Sequence, residues 1–157
     1  MFTDFSIGQV LALCGALLAA LLAGIGSAKG VSMAGETSAG VQSEHPDISG
    51  PALVLQFLPG TQGIYGFLVC VMILMNIGVF GGGMQEVEAM RGLRLFIGSL
   101  PAAVGGWVSA IYQGRVASAG INLLAAQPDA GGKAILMTVL VETYAVLALL
   151  ASILLIM

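Results

Sequence analysis

From Ala134 to Met157 the only charged side chain is Glu142. About 20 apolar residues suffice to cross the ~30 Å hydrocarbon core of a bilayer, and this run is long enough. A carboxylate in the middle of such a helix costs roughly 2.5–3.5 kcal/mol on insertion scales. Intramembrane acids are therefore rare, and they mark an ion path, a proton relay or a paired structural contact. Glu142 is accordingly the first candidate for an ion-carrying group, weighed against an acid merely hidden on a neighbouring helix.

The rest of the chain agrees with a membrane setting. It is 58% hydrophobic and 8% charged, against about 25% charged in soluble domains, which is too little polar surface for a water-facing globule. The fold expected is an all-α, multi-pass protein of the cell membrane. The five Lys and Arg residues are scattered, so no basic patch points to nucleic acid. Cys14 and Cys70 lie far apart in apolar runs and read as small core residues. Gly24-Ile25-Gly26-Ser27-Ala28-Lys29 lacks a full Walker spacing and a preceding strand, and His45 reads as a solvated loop residue. With no nucleophile–base pair and no nucleotide fold, the chain is not expected to be an enzyme or to hold an organic cofactor.

Four spans follow from the charges. Residues 1–80 form a first helical hairpin with membrane segments at about 5–30 and 50–80. Asp4 stands where a signal peptide would carry a basic residue, so the first span is read as retained. Glu36, Glu44, His45 and Asp47 lie in the polar connection, and Pro59 should kink or loosen the second helix. Residues 81–94 form a connecting loop with Gly81-Gly82-Gly83, Glu86, Glu88, Arg91 and Arg94. Residues 95–157 form the second hairpin, with segments at about 95–124 and 134–157. Arg115, the one charge in the third run, should reach an interface or a water-filled space. Lys29 and Lys133 flank one side and Arg91 and Arg94 the other, so charge does not fix the orientation.

The hairpins repeat. His45-Pro46-Asp47-Ile48-Ser49-Gly50 is echoed by Gln127-Pro128-Asp129-Ala130-Gly131-Gly132 at an offset of 82 residues. That implies tandem copies of one unit, with Gly60 standing at the register of Glu142. Ala12, Ala16, Ala20, Gly24 and Ala28 recur every four residues in the first span. Gly98, Ala102, Gly106, Ala110, Gly114 and Ser118 do so in the third. Such stripes let helix backbones approach closely in lipid. Spans one and three are expected inside, spans two and four outside, and two hairpins cannot close a circle alone, which predicts a homo-oligomeric ring.

Oxygen donors gather around the acid. Leu58-Pro59-Gly60-Thr61-Gln62-Gly63-Ile64-Tyr65 places Thr61 and Tyr65 one turn apart in a segment whose Pro and Gly residues free backbone oxygens. Gln113 lies in the third span and Thr138 one turn before Glu142. A hard cation needs several oxygens to replace its water. Glu142, Thr61, Gln62, Gln113 and the Leu58 carbonyl would make such a set for Na⁺, with Tyr65 orienting the carboxylate. A bare acid can instead take up H⁺, because burial favours its neutral form. The extra donors, which a proton does not need, favour Na⁺.

Four blocks together resemble the rotor-ring proteolipid of V-type ATPases: Gly26-Ser27-Ala28-Lys29-Gly30, Leu58 to Gly66, Gln113-Gly114-Arg115-Val116-Ala117 and Val141-Glu142-Thr143-Tyr144-Ala145. The likeness is nearest to the bacterial sodium-pumping branch. It implies a membrane ring of four-helix protomers turned by ATP hydrolysis in a separate soluble head, or driving synthesis there. It assigns ion-ligand roles to Glu142, Gln113, Thr61, Gln62 and Leu58, with Tyr65 holding the glutamate. It also implies partners: identical protomers, lipid, a central-stalk subunit, and a stator membrane subunit with half-channels and an arginine. Rival readings are the same ring carrying H⁺, or an independent four-helix transporter.

Overall fold

In a computed structural model, residues 5–81 and 83–157 are described; Asp4 and Gly82 lie outside them. Four helices long and apolar enough to span a membrane account for most of the chain: α1 (Ile7–Glu44), α2 (Pro46–Asn76), α3 (Ala89–Ala126) and α4 (Pro128–Ile156). No strand occurs among the described residues. The protein is thus an all-helical, multi-pass membrane protein of two tandem hairpins.

Local chemistry sets the helix ends. Ser6 and Gln9 form a capping box at the start of α1, satisfying two of the N–H groups a helix leaves open. The same side chains fasten the inter-hairpin connection: Ser6 Oγ donates to the Val87 carbonyl (2.9 Å) and Gln9 Nε2 to that of Gln85 (2.9 Å). Past α2, Gly78 takes φ +80°, and Val79 and Gly78 donate back to Leu74 and Met75 in a Schellman turn. Arg91 reaches the Asn76 carbonyl at the end of α2, and Arg94 the Leu155 carbonyl at the end of α4. Both cations serve the negative ends of helix dipoles.

Those arginines correct one expectation. They belong to the first turns of α3, which begins at Ala89, because Gly92 and Leu95 face inward and the charged side chains stay exposed. The polar connection after residue 30 is likewise helical, as far as Glu44. Ala34 and Ser38 continue the buried small-residue face there, so hydropathy falls while packing persists. Cys70 is buried as expected, but Cys14 is exposed.

The repeat is visible in the backbone. Pro46–Ile48 and Pro128–Ala130 are matching 3-10 turns, each with a proline at its start and an aspartate in its first turn. Each is preceded by a non-helical residue, His45 (φ −127°) and Gln127 (φ −143°).

Helix α1 packs along both α2 and α3, and α4 lies on α3 and α2. Small residues make this possible. A Cβ on Gly66 would strike the Ala19 carbonyl, and one on Gly114 would strike the Gly30 backbone. In α3 the four-residue stripe stays inside as far as Gly114, with Gly98, Ala102, Gly106, Ala110 and Gly114 all buried and Ser118 half-buried. In α1 it does not: Ala12 and Ala16 are buried, Ala20 and Gly24 half-buried and Ala28 exposed.

The difference has a geometric cause. Four residues of α-helix turn about 40° past a full circle, so a four-residue stripe winds off one face. Helix α3 contains a π-helical turn at Pro101–Gly105, whose wider winding absorbs that drift. Ser152 Oγ of α4 accepts the Ala102 N–H there (2.9 Å), tying the widened turn to its neighbour.

Gly114→Ala should lower the stability of the detergent-solubilised protein by about 1–3 kcal/mol, through overpacking against Gly30. Gly132→Ala, where nothing lies within 4 Å, should leave the thermal midpoint unchanged or slightly raised. Equal midpoints for the two variants would contradict this packing.

Candidate functional site

The site begins with a broken helix. Pro59 has no N–H to donate and its ring crowds the preceding turn. Accordingly α2 is interrupted by a 3-10 turn, Leu58–Gly60, between Ser49–Phe57 and Thr61–Asn76. The break leaves the Leu58 carbonyl accepting from the Thr61 hydroxyl (3.0 Å), so Thr61 presents its oxygen lone pairs away from its own backbone. The loosening expected at Pro59 is therefore present as a 3-10 turn, and it lies beside the side chains singled out around the acid.

Those side chains fall into two linked sets. In the first, the Tyr65 hydroxyl donates to Glu142 Oε1 at 2.6 Å, bridging α2 and α4. Thr61 lies one helical turn before Tyr65 on α2. In the second, Gln62 Nε2 donates to Gln113 Oε1, bridging α2 and α3. Gln113 Nε2 donates in turn to the Thr138 carbonyl (3.2 Å) on α4. Gln62, Gln113 and Thr138 are all 0% exposed.

The two sets meet through helical spacing. Gln62 and Tyr65 are neighbours on α2, and Thr138 lies one turn before Glu142 on α4. All six residues expected at the site thus occupy one region. The glutamines reach α4 at Thr138, a turn away from the carboxylate, and the Gln113 oxygen is engaged by Gln62. Residue spacing puts Thr138 on the right face but gives it no role. Its contribution is a main-chain oxygen, for which side-chain identity carries no signal.

Within this network one buried oxygen is left over. Gln62 Oε1 has no hydrogen-bond partner. Stranding a buried polar atom costs about 1–3 kcal/mol, so an orphan inside an otherwise satisfied network points to a missing ligand. No group of three or more His, Cys, Asp or Glu capable of holding a metal occurs among the described residues. One carboxylate with neutral amide, hydroxyl and carbonyl oxygens is a hard donor set.

Glu142 itself is half-buried at the outer side of α4, in a shallow groove with Val139, Thr143, Val146 and Leu147. Leu140 and Leu147 beside it are 60% and 61% exposed. The acid is held from within by Tyr65 and opens outward onto an apolar surface. Arg115 lies apart, exposed, with its guanidinium 5.2 Å from the centre of the Tyr112 ring, a cation–π contact.

A family model describing the C subunit of ATP synthase matches the chain twice, over residues 14–73 and 96–155. The two matches are offset by the same 82 residues as the Pro-Asp turns. The chain is 43% identical over 150 residues to the V-type sodium ATPase subunit K of Enterococcus hirae, covering 96% of this chain and 92% of that protein. It is 42% identical over 146 residues to the A-type ATP synthase subunit K of Methanocaldococcus jannaschii, covering 93% of this chain and 61% of that one.

Gln113→Leu should destabilise the protein by about 1–3 kcal/mol, because it strands the Gln62 amide. Gln62→Leu/Gln113→Leu should recover much of that loss. Thermal midpoints of the two single variants and the double in detergent test the pair, and strictly additive losses would rule out the coupling.

Proposed function

Because the chain belongs to the family of the ATP synthase C subunit, we propose that it is a rotor-ring proteolipid of a V-type ATPase and carries one Na⁺ per protomer at Glu142. The observation that carries the choice of ion is the buried, unpartnered Gln62 oxygen. Proton uptake by Glu142 would leave that atom stranded, whereas a bound cation would use it.

The ligand set is Glu142, Gln62, Thr61, Gln113 and the Leu58 carbonyl, with Tyr65 fixing the carboxylate. Each is an oxygen donor on a helix already cross-linked to its neighbours, so few side chains need ordering when the ion binds. The Gln113 oxygen keeps a second lone pair beyond the hydrogen bond it accepts. Na⁺ enters as cargo: it binds, travels and leaves, and no covalent bond is made or broken in this chain. ATP chemistry belongs to a separate soluble head.

Transport follows from where the acid sits. An ionised Glu142 on an apolar outer face is costly in lipid, so the protomer can sweep through the bilayer only while a cation neutralises it. Where the ring meets a stator, a positive side chain in a polar half-channel displaces the cation and stabilises the bare carboxylate. The ring forms from copies of this chain side by side. Exposed apolar faces supply lipid and neighbour contacts, with Ile64 and Phe67 on α2 and Leu140 and Leu147 on α4 about 60% exposed. A central stalk would join this ring to the head.

Carbodiimides modify a protonated carboxyl, so Glu142 labelling in the purified protein reads occupancy of the site. Na⁺ should protect Glu142 at millimolar concentration or below, on the order expected for a weak oxygen-ligand site. Tyr65→Phe should raise the half-protecting concentration about tenfold or more, from loss of a charge-assisted hydrogen bond. Labelling that ignores Na⁺ and falls only with rising pH would identify a proton ring and overturn the ligand set.

A further inference from the structure

We infer that Ser27 of α1 is a positioning residue for the ion site: it caps, from a neighbouring helix, the α2 segment that carries Thr61 and Gln62. This rests on the proposed function, and it adds a residue outside the ligand set.

The helical segment Thr61–Asn76 starts directly after the break at Pro59, with Gly60 at its N-cap position. A helix start leaves its first N–H groups without partners, and an ordinary N-cap serine or threonine accepts from the third of them. Gly60 has no side chain to do so, and none caps this start from within α2. Ser27 does it across the helix interface. Its Oγ accepts the Gly63 N–H at 2.7 Å and donates to the Gly60 carbonyl at 3.4 Å. The two contacts bracket Thr61 and Gln62. Gly63 is part of the arrangement: a Cβ there would lie 3.2 Å from Ser27 Oγ and 3.3 Å from its Cβ, tighter than normal contact.

The repeat supplies an internal comparison. Ser109 lies 82 residues after Ser27, at the same register of the second hairpin. Its hydroxyl is buried and has no partner. The reason lies in α4, whose helix runs unbroken from Gly131 to Ile156 and offers no open N–H to cap. The same serine is bonded where the partner helix is broken and idle where it is intact. Ser27 therefore belongs to the break, and the break to the ion site.

The test is Na⁺ protection of Glu142 against carbodiimide in intact, purified rings, comparing wild type with Ser27→Ala, Ser27→Cys and Ser109→Ala. Ser27→Ala should raise the half-protecting Na⁺ concentration about fivefold, the usual effect of deleting an N-cap hydroxyl. Labelling without Na⁺ should not change, because Glu142 and Tyr65 are untouched. The ratio of half-protecting Li⁺ to Na⁺ should shift, a change that mere loss of packing would not cause. Ser109→Ala should match wild type. Ser27→Cys, nearly isosteric but a weak acceptor, should shift in the same direction, and it carries the test if Ser27→Ala fails to assemble.

Unchanged Na⁺ protection in the Ser27 variants would overturn the inference, as would an equal shift in Ser109→Ala. Absence of Na⁺ protection in the wild type is a separate result. It would sink the sodium reading itself, and the role of Ser27 with it.

Discussion

The structure depends on how closely α1 can approach two other helices at once. In lipid there is no hydrophobic drive between apolar helices, so association rests on packing and a few polar contacts. Gly30 against Gly114 and Ala110, and Gly66 against Ala19 and Ala23, remove side chains where backbones nearly touch. That closeness brings α2 and α3 near enough for Gln62 to reach Gln113, and lets Ser27 reach the backbone of α2. Ser118 adds a polar contact on the same seam, donating to the Met33 carbonyl at 3.2 Å. Any bulk inserted along α1 would therefore act on the proposed ion site without touching it.

The break at Pro59 uses that closeness. Interrupting a helix in a membrane strands backbone groups, which is tolerated only where protein surrounds them. Here the Thr61 hydroxyl answers the Leu58 carbonyl and Ser27 answers Gly60 and Gly63. The result is an oxygen-rich segment, held by hydrogen bonds that each link neighbouring residues or neighbouring helices. The fourth helix contributes the opposite character. It is continuous, exposed along much of its length, and carries the acid at an apolar outer face.

Much of this was legible from residue identity. Uncharged runs marked the four spans, Pro59 marked the break, the paired Pro-Asp turns marked the duplication, and the isolated Glu142 singled out the candidate site. Features that depend on geometry without a chemical signature were not legible. The polar end of α1 looked like a loop because hydropathy registers solvent preference, whereas Ala34 and Ser38 keep it packed. The small-residue stripes looked equivalent, yet only α3 has a π turn to hold its stripe on one face. Thr138 takes part through its carbonyl and Ser27 through the gap it fills, and neither residue type announces such a role.

The duplication leaves one acid for every four helices, since Gly60 occupies the register of Glu142 in the first hairpin. A ring of given circumference built from this chain has half as many carriers as one built from single hairpins that each bear an acid. Each full turn then moves half as many ions for the same number of ATP molecules. The machine is geared low: every ion has about twice the free energy of hydrolysis behind it, so the ring can work against a steeper gradient. Run in reverse, it would need that steeper gradient before it could make ATP.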